Sequence, residues 1–121
     1  MAAKGRISVD RTLSKAERAL LEWLLVKETP DAALYTSQID SIRVVSRCGC
    51  GCPTVDFALH SGRKVGASHI VAEASGKSPE GISVDVILHA REGELSELEV
   101  YSREGLDVPF DLPCPESLHH T

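Results

Sequence analysis

Three cysteines within five residues form the part of the sequence best suited to chemistry. Cys48, Cys50 and Cys52 are separated by single glycines, and Cys114 lies near the C-terminus. Glycine permits backbone turns and close approaches that other residues cannot make, so the three thiols can converge on one soft cation such as zinc. The single-residue spacing departs from the two to four residues usual between paired zinc-binding cysteines. The predicted metal ligands are Cys48, Cys50, Cys52 and Cys114, with His119 or His120 as an alternative fourth ligand.

Two other interpretations of this cysteine segment stay open. Cys48 and Cys50 can form a redox pair, although no helix start adjoins them to lower the pKa of a thiol. The thiols can also be small, inert side chains in a strand connection that its glycines permit. A framework of loop-closing disulfides is not expected, because three of the four cysteines crowd together, so reduced thiols are the default.

A second candidate site comes from strand-like runs whose alternate residues are apolar. In residues 54–60, 68–74 and 82–90, one face is apolar, and the other carries one acid and one histidine four residues apart in each run. If neighbouring strands pair in chain order, the acids form one row and the histidines another. The carboxylate row is Asp56, Glu73, Asp85 and Glu99, the histidine row is His60, His69 and His89, and Glu97 belongs to the same predicted binding surface.

A row of like charges across a sheet is unfavourable, which suggests that something positive lies on it: a cation, protonated histidines or a basic partner. The simpler alternative is a solvated face whose charges are screened by water and salt. The net charge of −5 is uneven, because residues 1–72 carry 10 basic and 7 acidic side chains and residues 73–121 carry 3 and 11. That field repels phosphates, so a basic protein is a better partner than nucleic acid.

These observations favour a non-catalytic protein-interaction domain that binds a basic partner through an acidic surface. The first alternative is a small zinc-binding module built on the cysteine segment. An enzyme is a second alternative without a substrate class, since the sequence shows neither a nucleophile with its base nor a phosphate-binding loop. Oligomeric state is not indicated by the sequence.

The elements that must position these residues follow from periodicity. Ser14 to Glu17 is a capping box that starts a helix running to about Lys27, and Thr29 with Pro30 predicts a second, short helix. Beyond these, five strand-like runs are joined by short turns, namely Ile42 to Arg47, Thr54 to His60, Ser68 to Ala74, Ile82 to Ala90 and Leu95 to Tyr101. The predicted fold is α+β, with one or two N-terminal helices packed on one face of a five-stranded antiparallel β-meander.

The chain is expected to form one domain over residues 1–121, with an extended, proline-containing tail from about residue 104. No apolar run approaches the roughly 20 residues that span a bilayer, so a membrane partner is not expected. The first residues lead into polar sequence and not into a signal core, so the predicted location is the cytoplasm.

The stretch from Cys48 to Phe57, with that from Gly93 to Tyr101, resembles a set of uncharacterised small bacterial proteins with a CxCGCP(S/T)VDF-type segment. The resemblance implies a leading helix, a short cysteine and glycine segment and a compact sheet. The chain is also faintly similar to immunity-type proteins, in which an acidic cytosolic domain neutralises a toxin. Neither resemblance implies a chemistry for particular residues.

Overall fold

The computed structural model describes residues 5–26, 29–59, 67–105 and 108–121. Their central element is one antiparallel sheet of seven strands, in the order β1-β2-β3-β6-β5-β4-β7. The elements, in chain order, are β1 (Arg6–Arg11), α1 (Lys15–Leu24), α2 (Ala32–Thr36), β2 (Arg43–Cys48), β3 (Val55–Ala58), β4 (His69–Lys77), β5 (Ser83–Arg91), β6 (Glu94–Ser102), a single 3-10 turn (Pro115–Ser117) and β7 (His119–His120).

The first helix begins as its capping box predicts. The Ser14 hydroxyl accepts a hydrogen bond from the Glu17 N–H at 3.1 Å, and the Glu17 carboxylate accepts one from the Ser14 N–H at 2.9 Å. Leucines at helical spacing, among them Leu20, Leu21 and Leu24, are then buried against the sheet. The second helix begins at Ala32, after Asp31 adopts a left-handed conformation, and buries Tyr35.

The predicted five-stranded meander is wrong, although the coarser α+β class with an antiparallel sheet is confirmed. A strand, β1, precedes the helices and pairs with β2, so the helices lie between two strands in the chain. The strand that follows β3 in the chain, β4, does not pair with β3. Instead β4, β5 and β6 form a separate meander, which joins β3 through β6. The reason is that strand adjacency in a sheet follows chain order only in the majority of cases, and local alternation does not encode the exception.

The C-terminal residues lie against the sheet. Phe110 is buried, the Cys114 N–H donates to the Lys77 carbonyl at 2.8 Å, and β7 pairs with Ser75 and Ala74 of β4. The extended stretch expected here thus ends in a short strand. No helix in the described ranges has the length and apolar character needed to cross a membrane.

The core face of the sheet is largely the predicted one. Six residues assigned to that face are buried, namely Val55, Phe57, Ala74, Val84, Val86 and Leu88. Leu59, Ala72 and Ile82 are partly buried and pack against the core. Ile70 is 51% exposed, because the register of β4 shifts between Ile70 and Ala72. An irregularity of this kind turns the residues on its far side to the opposite face.

Candidate thiol and carboxylate site

The structure brings three of the four predicted metal ligands together. The Sγ atoms of Cys48, Cys50 and Cys52, hereafter the thiol triad, all lie within 4.8 Å of one another, and each residue is partly buried. Cys48 ends β2, and the other two stand in the turn before β3, so one short connection carries all three. The closest pair is Cys48 and Cys50, whose sulfur atoms are 2.8 Å apart.

Backbone N–H groups within the triad point at its sulfur atoms. The Cys50 N–H donates to Cys48 Sγ at 3.4 Å, and the Cys52 N–H donates to Cys50 Sγ at 3.3 Å. The same donors orient a thiolate and support its negative charge when it binds a metal. The turn therefore presents its thiols in an arrangement suited to ligation.

Contacts that involve no sulfur fix the backbone of the turn. The Cys48 N–H donates to the Thr54 carbonyl at 3.0 Å, which closes the turn, and the Gly49 N–H donates to the Gly5 carbonyl at 2.9 Å. Gly51 has φ +99, and a Cβ there would lie 3.0 Å from the side chain of Pro109. Glycine is required at position 51 both for the backbone conformation and for the space.

Thr54 connects the turn to the middle of the sheet. Its hydroxyl donates to the Val100 carbonyl at 3.0 Å, accepts from the Val100 N–H at 2.9 Å, and lies 3.5 Å from Cys52 Sγ. Thr54 is 4% exposed, so these bonds are shielded from water. The buried Thr54 hydroxyl thus makes the two hydrogen bonds that a neighbouring strand would otherwise make with Val100 of β6. The same hydroxyl helps to position Cys52.

The remaining predicted ligands lie elsewhere. Among the described residues, the group close enough to share a cation comprises the triad and excludes Cys114. Cys114 instead lies beside β4, where it lines a cleft of about 610 Å³ together with Cys52. His120 stacks on Trp23 with ring centroids 4.2 Å apart, and His119 pairs with Ser75 on the edge strand.

The predicted carboxylate row does not exist as a row. Because β3 pairs with β6, Asp56 lies opposite Glu97 and not opposite Glu73. The pairing of β5 with β6 is also displaced from the predicted register, so Glu99 lies opposite Ile87, and Asp85 opposite Tyr101. Strand register depends on turns and bulges that the alternation pattern leaves open.

Several acids of the outer face contact basic or imidazole side chains of the same chain. Arg6 contacts Asp56 at 3.3 Å and Glu97 at 3.0 Å, and His89 contacts Glu99 at 2.9 Å. Burial, followed by the charge of Asp56, raises the pKa of Glu97, and His89 and Arg6 partly offset this. For Arg6, burial lowers the pKa, but the charges of Asp56 and Glu97 outweigh it, and the net effect is a raised pKa.

The other predicted outer-face residues are dispersed. Asp85 accepts a hydrogen bond from Ser75 at 2.7 Å and lies 3.4 Å from Arg103. His69 contacts the hydroxyl of Tyr35, a core residue of α2, at 3.2 Å, so it has left the predicted outer face. Glu73 is exposed. His60 lies outside the described residues, and the histidine row cannot form, since His89 lies opposite Ile70 and not opposite His69.

Two members of the triad, Cys48 and Cys52, share one shallow cleft of about 380 Å³ with part of the acidic set. Cys48 and Cys52 line one side, Glu97 and Glu99 line another, and Arg6 is also part of the wall. The two candidate sites that the sequence suggested separately are therefore adjacent. The cleft gives solutes access to the triad from the sheet face opposite the helices.

Sequence reasoning missed Arg6 and Thr54. The alternation of Ile7 and Val9 with polar neighbours could have indicated β1, and with it the position of Arg6. Thr54 was taken only as the start of a strand, and no sequence signal points to the bonds that its hydroxyl makes with β6.

Comparisons with known proteins add no functional information. Family models, curated proteins and solved structures give no match to this chain. The resemblance to small bacterial proteins with a CxCGCP(S/T)VDF-type segment, and to immunity-type proteins, stays a prediction.

Proposed function

We propose that this protein is a metal-binding module that holds one zinc ion through Cys48, Cys50 and Cys52. The observation that carries the proposal is the convergence of three sulfur atoms within 4.8 Å on a turn braced by backbone hydrogen bonds. Thiolate sulfur is a preferred ligand of zinc and of other soft cations.

The distances are compatible with a small adjustment on binding. Tetrahedral zinc with Zn–S bonds of about 2.3 Å separates its sulfur ligands by about 3.8 Å. Cys48 and Cys50 are closer than this, at 2.8 Å, so their sulfur atoms must separate by about 1 Å. Rotation about the side-chain bonds of two partly buried residues supplies such a movement.

Three protein ligands leave one coordination position for another group. Structural zinc sites are closed by a fourth protein ligand, whereas sites with three ligands keep a position for water or a substrate. Cys114 is not grouped with the triad. Glu97 and Glu99 are not grouped with the triad either, so a water molecule would complete the coordination in this proposal.

The test is metal analysis of protein purified under reducing conditions and without a histidine tag. We expect about one zinc per chain, and a competition titration with a chromophoric chelator then gives the affinity. Cys50→Ser should weaken zinc binding at least tenfold, whereas Cys114→Ser, the matched control, should leave it unchanged. Copper(I) is titrated in parallel, because the same ligands suit it. A chain that carries no zinc, and whose melting temperature does not rise when zinc is added, contradicts the proposal.

The basic-partner hypothesis is a second proposal, supported by the excess of acidic residues after position 72. Its strength is reduced by the internal partners of Asp56, Glu97 and Glu99, since a carboxylate already paired offers less to a second cation. Binding of this kind weakens as salt rises. Failure to retain any basic protein from a lysate of the source cells at low salt argues against it.

A further inference from the structure

We infer that Cys48 and Cys50 are a site of reversible oxidation, where a hydroperoxide converts the two thiols into a disulfide while Cys52 keeps its thiol. The inference concerns the same triad as the proposed function, and its regulatory consequence, the loss of metal, rests on that function. The formation of the bond itself does not require a metal.

The distance between the two sulfur atoms is the first argument. At 2.8 Å they are closer than the roughly 3.5–4.0 Å optimum for two unbonded carbon atoms, which are smaller than sulfur. A disulfide has a bond of about 2.05 Å, so a movement of less than 1 Å closes the gap. The four cysteines are free thiols in this structure.

The position of Cys52 is the second argument, because it selects one pair out of three. Cys52 Sγ lies beside the Thr54 hydroxyl, which is itself tied to both polar backbone groups of Val100. No such bond holds the sulfur atoms of Cys48 and Cys50 away from each other in the described structure. Exposure does not separate the three pairs, since all three cysteines are partly buried, so the choice of pair depends on the sulfur contacts.

The chemistry balances with hydrogen peroxide as oxidant. One thiolate attacks the peroxide, the O–O bond breaks, a sulfenic acid forms, and the released hydroxide takes up a proton to become water. The second thiol then attacks the sulfenic sulfur, the S–S bond forms, and the S–O bond breaks with loss of another water. Two thiols and one peroxide thus give one disulfide and two waters.

This oxidation opposes metal binding. A disulfide sulfur is no longer a thiolate ligand, so the reaction removes two of the three ligands of the triad. A bound zinc ion would, in turn, engage the same thiolates and slow their oxidation. The triad would then retain metal under reducing conditions and release it on exposure to peroxide.

The experiment treats the metal-free, reduced chain with hydrogen peroxide and counts free thiols with Ellman's reagent after denaturation. We expect the count to fall from four to two, and peptide mass mapping to find Cys48 joined to Cys50. Dithiothreitol should restore all four. The Cys52→Ser and Cys114→Ser proteins should still lose two free thiols to a disulfide. The Cys48→Ser and Cys50→Ser proteins should form no disulfide at a comparable rate. Circular dichroism of each variant checks that it is folded.

Two outcomes overturn the inference: all four thiols survive the treatment, or Cys50→Ser forms a Cys48–Cys52 disulfide as fast as the unmodified chain forms its own. Release of zinc is measured separately, by adding peroxide to zinc-loaded protein in the presence of a zinc-sensitive dye. If the disulfide forms but no zinc was ever bound, the proposed function fails and this inference stands. If zinc binds but no disulfide forms, the inference fails and the function stands.

Discussion

Replacing Thr54 by valine tests whether one hydroxyl anchors the cysteine turn to the sheet. The substitution keeps the shape of the side chain but removes the oxygen that bonds the N–H and the carbonyl of Val100. Each buried polar group left without a partner costs about 1–3 kcal/mol. The contact with Cys52 Sγ, at 3.5 Å, orients that thiol, but it is long and its loss adds little to the change in the free energy of unfolding. Two such groups give an expected loss of about 2–6 kcal/mol in the free energy of unfolding.

The assay is urea unfolding followed by the fluorescence of Trp23, the single tryptophan. For a chain of this length, about 4 °C of melting temperature corresponds to 1 kcal/mol, so the melting temperature, followed by the same fluorescence on heating, should fall by about 8–24 °C. Thr54→Ser keeps the hydroxyl and should lose only about 1 kcal/mol, for the missing methyl group. Thr12→Val, at an exposed threonine, is the matched control and should change stability by less than about 0.5 kcal/mol. A Thr54→Val protein as stable as that control refutes the reasoning.

Three further substitutions test other contacts by the same unfolding assay. Glu17→Gln should cost about 1–2 kcal/mol at pH 7, discounted for the partly exposed Arg11. Burial raises the pKa of Glu17, but its hydrogen bonds with Arg11 and Ser14 lower the pKa by more than burial raises it. The net pKa therefore lies below the ordinary value of 4.5. The stability lost in Glu17→Gln should therefore be greatest above that value and should shrink as the pH falls through the lowered pKa of Glu17. A loss of stability that does not change with pH contradicts this expectation. Gly51→Ala should destabilise the protein by about 1–3 kcal/mol. The loss should exceed that of Gly81→Ala, where φ is also positive but no atom lies within 4 Å of the added Cβ. Equal losses would mean that the clash with Pro109 does not contribute. Asp85→Lys should cost about 1–2 kcal/mol, since its carboxylate has internal partners, and unchanged stability would mean that these contribute nothing.

Local features of the fold were predictable from the sequence. The capping box and the leucine stripe of α1 depend on residues within a few positions of one another, and both are present. The apolar face of β5 was equally predictable, since Val84, Val86 and Leu88 alternate with polar residues whatever strand lies beside them. Each of these patterns is decided by the geometry of a single element.

Pairing between elements was not predictable in the same way. Whether β3 pairs with β4 or β6 depends on how the whole meander docks, and alternation within β3 is compatible with either. The bulge near Val71 shows the same limit, because one irregular residue turns His69 toward the helices while the sequence pattern continues unbroken. The carboxylate row failed for this reason, as it required three registers to be correct together.

The thiol triad was predictable because its members are neighbours in the chain. Its surroundings were not, since Arg6, Glu97 and Val100 come from two strands distant in sequence. Cys114 shows the converse error: shared chemistry suggested a shared site, but its backbone is bonded to Lys77 on another strand. Residue type alone therefore proposes a ligand set, and the topology decides its membership.

The bracing of the cysteine turn bears on how metal binding relates to folding. Small zinc domains commonly unfold without metal, because their ligands supply the main contacts of the core. Here the turn is held by contacts that involve no sulfur. The N–H groups of Cys48 and Gly49 donate to the carbonyls of Thr54 and Gly5. Gly51 packs against Pro109. The turn is thus ordered by the sheet and by the C-terminal segment before any ion arrives. Because preorganised ligands lose little conformational freedom on binding, the sheet contributes to affinity without itself depending on the metal. Chemistry at the sulfur atoms can then change while the fold stays intact, as a reversible site requires.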